Sequence, residues 1–72
     1  MPARLTDIKR ALSSMGVSIE PPNGGSHYRA SKEGKMYPIP AHNGERSEIA
    51  DVYIRGVCRA FDLNYEEFKK RL

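Results

Sequence analysis

Two imidazoles, one thiol and a basic hairpin are the groups in this chain that can do chemistry near neutral pH. Gly25-Ser26-His27 places the first histidine just after a glycine pair, at the head of an alternating stretch. Imidazole is the side chain whose ordinary pKa lets it both take and give a proton near neutrality. With Arg29 two residues on, such a histidine can work on a ribose 2′-hydroxyl while the guanidinium holds a phosphate. From local sequence alone the favoured reading is plainer: a histidine that caps its turn or sits on the surface. Pro40-Ala41-His42 supplies the other imidazole. Within reach of the first it would complete an acid/base pair for phosphodiester cleavage; otherwise it is a solvated loop residue. Arg29, Lys32 and Lys35 gather around a predicted hairpin and can track a phosphate backbone. Lysines on an edge strand also discourage aggregation, so the cluster reads both ways.

The other candidates have simpler explanations. Asp51 and Arg55 are four residues apart and Arg59 follows one turn later, a spacing that makes surface ion pairs. Lys69-Lys70-Arg71 suits the negative C-terminal end of a helix. Cys58 falls among apolar helix positions and should behave as a small buried hydrophobe. No P-loop, Rossmann glycine pattern or HExxH helix is present. With two His and one Cys, a structural zinc site and an internal disulfide framework are not expected.

Those groups must be positioned by 72 residues carrying twelve Lys/Arg against nine Asp/Glu, a net charge of +3. A chain of this length is expected to form one domain, residues 1–72, and buries only roughly 60% of its unfolded surface. There is no room for a large cofactor pocket, and no cofactor is expected. A charge of +3 is compatible with a nucleic-acid partner without demanding one. The apolar runs are far shorter than the ~20 residues of a membrane span. The Met1-Pro2-Ala3-Arg4 start lacks the apolar stretch of a leader. The expectation is a cytoplasmic protein.

Leu5, Ile8, Leu12 and Met15 recur at helical spacing, which predicts a helix from about Thr6 to Met15, with Thr6 capping its first turn and Gly16 stopping it. Val17 and Ile19 alternate with Ser18 and Glu20 as a short strand that Pro21-Pro22 ends. Asn23-Gly24-Gly25 is a turn. Ser26 to Ser31 alternates again, with Tyr28 and Ala30 on one face and His27, Arg29 and Ser31 on the other. After a Lys32-Glu33-Gly34 turn, Lys35 to Ile39 pairs back, and Pro38 and Pro40 confine it to a sheet edge. Ile54, Val57, Cys58 and Phe61 predict a second helix with Ser47 as an upstream cap, broken at Asp62 or Leu63. Gly56 weakens that helix by about 1 kcal/mol relative to Ala, which points to a close approach by another element. Asn64 caps a short last helix with Tyr65, Phe68 and Leu72 inward. The fold class is therefore α+β, in the order α-β-β-β-α-α. A three-stranded antiparallel sheet has helices packed on one face and its other face open.

Gly25-Ser26-His27, then Pro40-Ala41-His42, then Glu48-Ile49 leading into Ile54-Arg55 and Val57 through Leu63, resembles the HicA family of small toxins. These are mRNA interferases of HicA–HicB toxin–antitoxin systems, built on a double-stranded-RNA-binding-like fold. The likeness runs from the Leu5–Met15 helix to the Glu66-Glu67-Phe68 ending. It implies a metal-independent endoribonuclease whose single catalytic histidine corresponds to His27, with mRNA as substrate and a HicB-like antitoxin occluding that histidine. Gly25, Ser26, Arg29, Lys32, Lys35 and His42 would contact RNA. The chain departs from the family at two points. Pro22 stands three positions before Gly25, where family members often carry a basic residue, and Asp62 stands where a glycine usually follows the second helix. Two other readings use the same scaffold. One is a non-catalytic RNA-binding module with His27 structural or vestigial. The other is a small regulatory protein that binds a protein partner through the open sheet face or its edge.

Overall fold

The computed structural model describes residues 2–72; Met1, the first residue of the start examined for a leader, lies outside them. Helix α1 spans Leu5–Ser14, with Leu5, Ile8, Ala11 and Leu12 buried on one side. Its end shows why Gly16 is where it is. Gly16 adopts φ +82°, its N–H donates to Ser13 O (3.2 Å), and Val17 N–H reaches back to Leu12 O (2.9 Å). That is a Schellman cap, closed by the buried Leu12–Val17 pair at the base of the turn.

The start of α1 differs from the expectation. Thr6 caps nothing, because the helix begins one residue earlier, with Arg4 at the N-cap and no side-chain cap bond. The freed Leu5 N–H donates instead to Ser47 O at 2.9 Å. This follows from a two-stranded antiparallel ribbon that sequence patterning did not reveal. In it β1 (Ala3–Arg4) pairs with β5 (Glu48–Ile49), Ala3 opposite Ile49. Two residues per strand are too few to show an alternation. Ser47 is likewise not the cap of the second helix. It is buried, and its Oγ accepts the Asn43 N–H at 2.8 Å, closing the loop that contains a 3-10 turn at Gly44–Arg46.

The main sheet has the order β2 (Ser18–Glu20), β3 (His27–Lys32), β4 (Lys35–Pro40), all antiparallel. Glu33 and Gly34 form its tight turn with φ +52° and +82°, the two left-handed positions of a type I′ hairpin. Lys32 and Lys35 close that turn, so Lys32/Lys35, Ala30/Tyr37 and Tyr28/Ile39 are the hydrogen-bonded pairs of the ladder. Pro38 and Pro40 therefore fall at alternate positions, where an N–H would point away from β3. They cost the ladder nothing, and they strip two donors from the outer edge. The other edge, β2, is three residues long and runs into Pro21-Pro22.

Ile19, Tyr28, Ala30, Tyr37 and Ile39 share the face turned to the helices, and Ala30 and Ile39 are fully buried there. Helix α2 (Asp51–Ala60) buries Ile54, Gly56, Val57 and Cys58. Gly56 is small for a packing reason. A Cβ built on it would lie 2.0 Å from Tyr37 Oη and 2.7 Å from Tyr37 Cζ, so the ring occupies that space. At the end of α2, Asp62 takes the left-handed position (φ +57°), with Leu63 N–H bonded to Cys58 O at 2.7 Å. This is a second Schellman cap, with Asp in the place Gly16 fills in the first. Helix α3 (Tyr65–Lys70) starts as the sequence predicts, Asn64 Oδ1 accepting the Glu67 N–H at 2.8 Å. It buries Phe68 and is tied to α2 through Tyr65. The Tyr65 hydroxyl donates to Asp51, which also pairs with Arg55 at 2.5 Å, and the Arg55 guanidinium lies 4.1 Å from the Tyr65 ring centre. The Asp51 acceptor, with burial second, pushes the Tyr65 hydroxyl above its ordinary pKa. The architecture is α+β, a three-stranded antiparallel sheet with helices. No helix among the described residues is long and apolar enough to cross a membrane.

Candidate functional site

The uncovered face of the sheet carries Ser18 and Glu20 from β2, His27, Arg29 and Ser31 from β3, and Met36, Pro38 and Pro40 from β4. Their registers set them in rungs, with Glu20 and Pro38 flanking Arg29 and Pro40 opposite His27. His27 is exposed at the head of the central strand. Arg29 stands two residues further along the same face, a strand repeat of about 7 Å. Proline rings on the neighbouring strand give this face a stiff, apolar border.

Arg29 is the anomaly of that face. Its Nε is buried and has no hydrogen-bond partner. Glu20 is directly opposite on β2, yet among the described residues no ion pair joins the two. A buried guanidinium nitrogen without an acceptor has lost hydration with nothing in exchange, typically at a cost of about 1–3 kcal/mol. The other two guanidinium nitrogens are not buried, and they are the donors that an oxyanion laid on this face could reach.

The corner next to His27 is built from the loop before β3 and the loop after β4. Ala41 N–H donates to Ser26 O at 2.9 Å, which extends the ladder one rung past Pro40. Beyond that bond the chain leaves the sheet, and His42, the first residue of the turn that follows, is exposed. Gly24 needs its left-handed backbone (φ +96°). Gly25 does not: its φ lies outside that region, and a Cβ built on it would meet nothing within 4 Å. The fold makes no demand for glycine at this position, and the missing side chain leaves an opening beside His27.

The structure thus puts His27 and Arg29 on one face, with Gly25, Ser26 and His42 in the two segments that the Ala41–Ser26 bond joins at its end. Lys32 and Lys35 are placed elsewhere. Strand parity turns them to the helix side, at the far end of the hairpin, about 17 Å along the strand from His27. There they line a concavity of about 300 Å³ with Glu33, Phe61 and Asp62. Lys32 also leans over the end of α1, where a Cβ on Gly16 would lie 3.8 Å from its Cε, and its charge complements the helix dipole. Sequence reasoning grouped the three basic residues by proximity in the chain. It did not single out Glu20, Pro38 and Pro40, which flank the two site residues; the two-residue Glu33-Gly34 turn was the signal that fixes their register.

Cys58 is buried, and desolvation pushes its thiol above the ordinary value, the behaviour of a packing residue. No group of three or more His, Cys, Asp or Glu side chains that could hold a metal ion occurs among the described residues. Comparison with family models, with curated proteins and with solved structures gave no match.

Proposed function

We propose that this chain is a small cytoplasmic endoribonuclease of the HicA type, cleaving mRNA without a metal ion and held inactive by an antitoxin partner. The observation that carries the reading is the uncovered sheet face on which exposed His27 stands beside Arg29, whose Nε is buried without an acceptor. The resemblance of Gly25-Ser26-His27 and Pro40-Ala41-His42 to the family supports the same residues.

In this reading RNA lies across the open face. Arg29 receives the scissile phosphate, supplying donors where negative charge builds on the equatorial oxygens. His27 takes the proton of the ribose 2′-hydroxyl. The 2′-oxygen then forms its bond to phosphorus, the bond from phosphorus to the 5′-oxygen breaks, that oxygen takes a proton from water, and the products are a 2′,3′-cyclic phosphate and a 5′-hydroxyl end. Gly25 lets the sugar-phosphate backbone approach the strand closely, and the Ser26 carbonyl is held by Ala41. Lys32 and Lys35 stand on the other side of the hairpin, so their contribution is long-range attraction of the polyanion, sensitive to salt.

The test is cleavage of mRNA in the presence of a chelator by wild type and His27→Ala. The expected result is cutting by wild type and salt-dependent binding without cutting by the variant. Equal cutting by both removes His27 from the mechanism. Binding without cutting by both makes the chain an RNA-binding module, and absence of both activities leaves the open face to a protein partner.

A further inference from the structure

We infer that Asn23-Gly24, in the loop that leads into β3, is a site of spontaneous deamidation, and that the fold confines the reaction to it by closing the chain's other Asn-Gly pair. The inference stands apart from the ribonuclease reading and needs no reactant but water. The chain has three asparagines, Asn23, Asn43 and Asn64, and the first two precede glycine. In such a pair the glycine backbone nitrogen, once it gives up its proton, attacks the asparagine side-chain carbon Cγ. A C–N bond forms there, the bond from Cγ to the amide nitrogen breaks, and that nitrogen leaves with a proton as ammonia. The product is a five-membered cyclic imide, which water opens at one of two C–N bonds. Opening at Cγ leaves aspartate, and opening at the main-chain carbonyl leaves isoaspartate, with the chain running through Cβ. Either way an amide and water have become a carboxylic acid and ammonia. Glycine favours the ring because it has no Cβ to crowd the attacking nitrogen and leaves the backbone free to turn.

Ring closure sets one geometric condition. The following nitrogen must lie on the same side as Cβ about the asparagine Cα–C bond, so ψ must be free to bring it there. Asn43 lacks that freedom. Its ψ is 30°, which sets the following nitrogen near its own backbone nitrogen and well away from Cβ. Three hydrogen bonds hold it so: Asn43 N–H to Ser47 Oγ at 2.8 Å, Arg46 N–H to Asn43 O at 3.3 Å, and Ser47 N–H to Gly44 O at 3.1 Å. Ser47 is itself buried. Turning ψ far enough to close the ring pulls these bonds apart.

Asn23 is the opposite case. Asn23, Gly24 and Gly25 are exposed and lie between strands, outside any helix or ladder. Among the described residues no hydrogen bond holds any of the three. Nothing lies within 4 Å of a Cβ built on Gly24 or Gly25, so the loop has room to rearrange as the ring closes. Asn64 is excluded on other grounds, since Tyr65 follows it and its Oδ1 accepts the Glu67 N–H at 2.8 Å. The reaction at Asn23 adds one carboxylate to nine acidic residues and takes the net charge from +3 to +2, four residues before His27. Isoaspartate also lengthens the main chain of that loop by one atom.

The experiment holds the full chain in mildly alkaline buffer at body temperature and follows it by ion exchange and by mass spectrometry of tryptic peptides. Ala11–Arg29 carries Asn23, and Met36–Arg46 carries Asn43. Parallel samples are the chain in concentrated urea, where the bonds of the turn are gone, and folded Asn23→Gln, whose longer side chain would have to close a six-membered ring. The expected result in the folded chain is a gain of one mass unit in Ala11–Arg29, as a mixture of aspartate and isoaspartate. Met36–Arg46 should convert about tenfold more slowly or less, the effect of opening its hydrogen-bonded turn. In urea the two peptides should convert at similar rates, and Asn23→Gln should lack the main acidic species. Conversion of Met36–Arg46 as fast as Ala11–Arg29 in the folded chain overturns the inference. So does an Ala11–Arg29 peptide that reacts in urea and stays unmodified when folded. A tenfold difference that persists in urea would put its cause in the neighbouring residues and remove the role given to the fold.

Discussion

Replacing Gly56 with alanine tests how the sheet is locked to the helices, and its sign opposes what helix propensity alone would give. An alanine in place of glycine inside an exposed helix gains about 1 kcal/mol. Here the added methyl would sit 2.0 Å from Tyr37 Oη, 2.7 Å from Cζ and 3.3 Å from Cε2. Overpacking of this kind costs about 1–3 kcal/mol, and a rigid ring that must swing as one body puts the cost at the upper end. The net is about 2 kcal/mol of destabilisation, and at about 4–8 °C per kcal/mol for a domain of this size the Tm falls by about 8–16 °C. The assay is a double-mutant cycle by thermal melting, with Tyr37→Leu as the second change. Leucine removes the atoms that meet the methyl, so in that background Gly56→Ala should be neutral or stabilising by up to about 1 kcal/mol. If Gly56→Ala leaves the wild-type Tm unchanged or raises it, the Tyr37 ring does not lie over α2 and the packing account is wrong.

Four further outcomes follow from the same structure. Asp62→Gly, and separately Glu33→Asn ahead of Gly34, should each raise the Tm, the first by about 4–8 °C for relief of about 1 kcal/mol of left-handed strain, as differential scanning calorimetry will show. Gly25→Ala should leave the melting curve in place or raise it slightly, because nothing crowds the new methyl, while RNA cleavage falls; unchanged cleavage would mean that nothing passes close to that backbone. The pH dependence of stability has a defined sign at Tyr65, whose hydroxyl is held above its ordinary pKa by donation to Asp51. Its stabilisation is complete below the ordinary value of about 10 and is lost as pH rises through the folded value. Chemical melts above that pH should therefore fall more steeply for wild type than for Tyr65→Phe.

The elements legible in the sequence are those whose signal repeats or is chemically unambiguous. Leu5, Ile8 and Leu12 mark a helix by period, Pro38 and Pro40 mark an edge strand by their missing donors, and Asn64 marks a cap by its side chain. Gly56 was legible as a close approach, though its neighbour Tyr37, nineteen positions earlier, was not. The elements that escaped depend on contacts remote in sequence. Thr6 and Ser47 look like caps locally, but the β1–β5 ribbon supplies a backbone carbonyl to the start of α1 and draws Ser47 inward. The site was legible in part for the same reason. Alternation alone put His27 and Arg29 together on the face away from Tyr28 and Ala30. Assigning Lys32 to the other face needed strand parity carried to the hairpin tip, and locating His42 needed the Ala41–Ser26 bond.

The central claim is that His27 acts on a ribose 2′-hydroxyl. It is tested most directly by wild type and His27→Ala, in chelator, on one RNA oligonucleotide and on its counterpart bearing a single 2′-deoxy sugar at the cut. The account predicts one productive combination, wild type on all-ribose RNA, with a 2′,3′-cyclic phosphate on the upstream fragment and a 5′-hydroxyl on the downstream one. Cleavage of the deoxy substrate by wild type, or of the all-ribose substrate by His27→Ala at the wild-type rate, would contradict it.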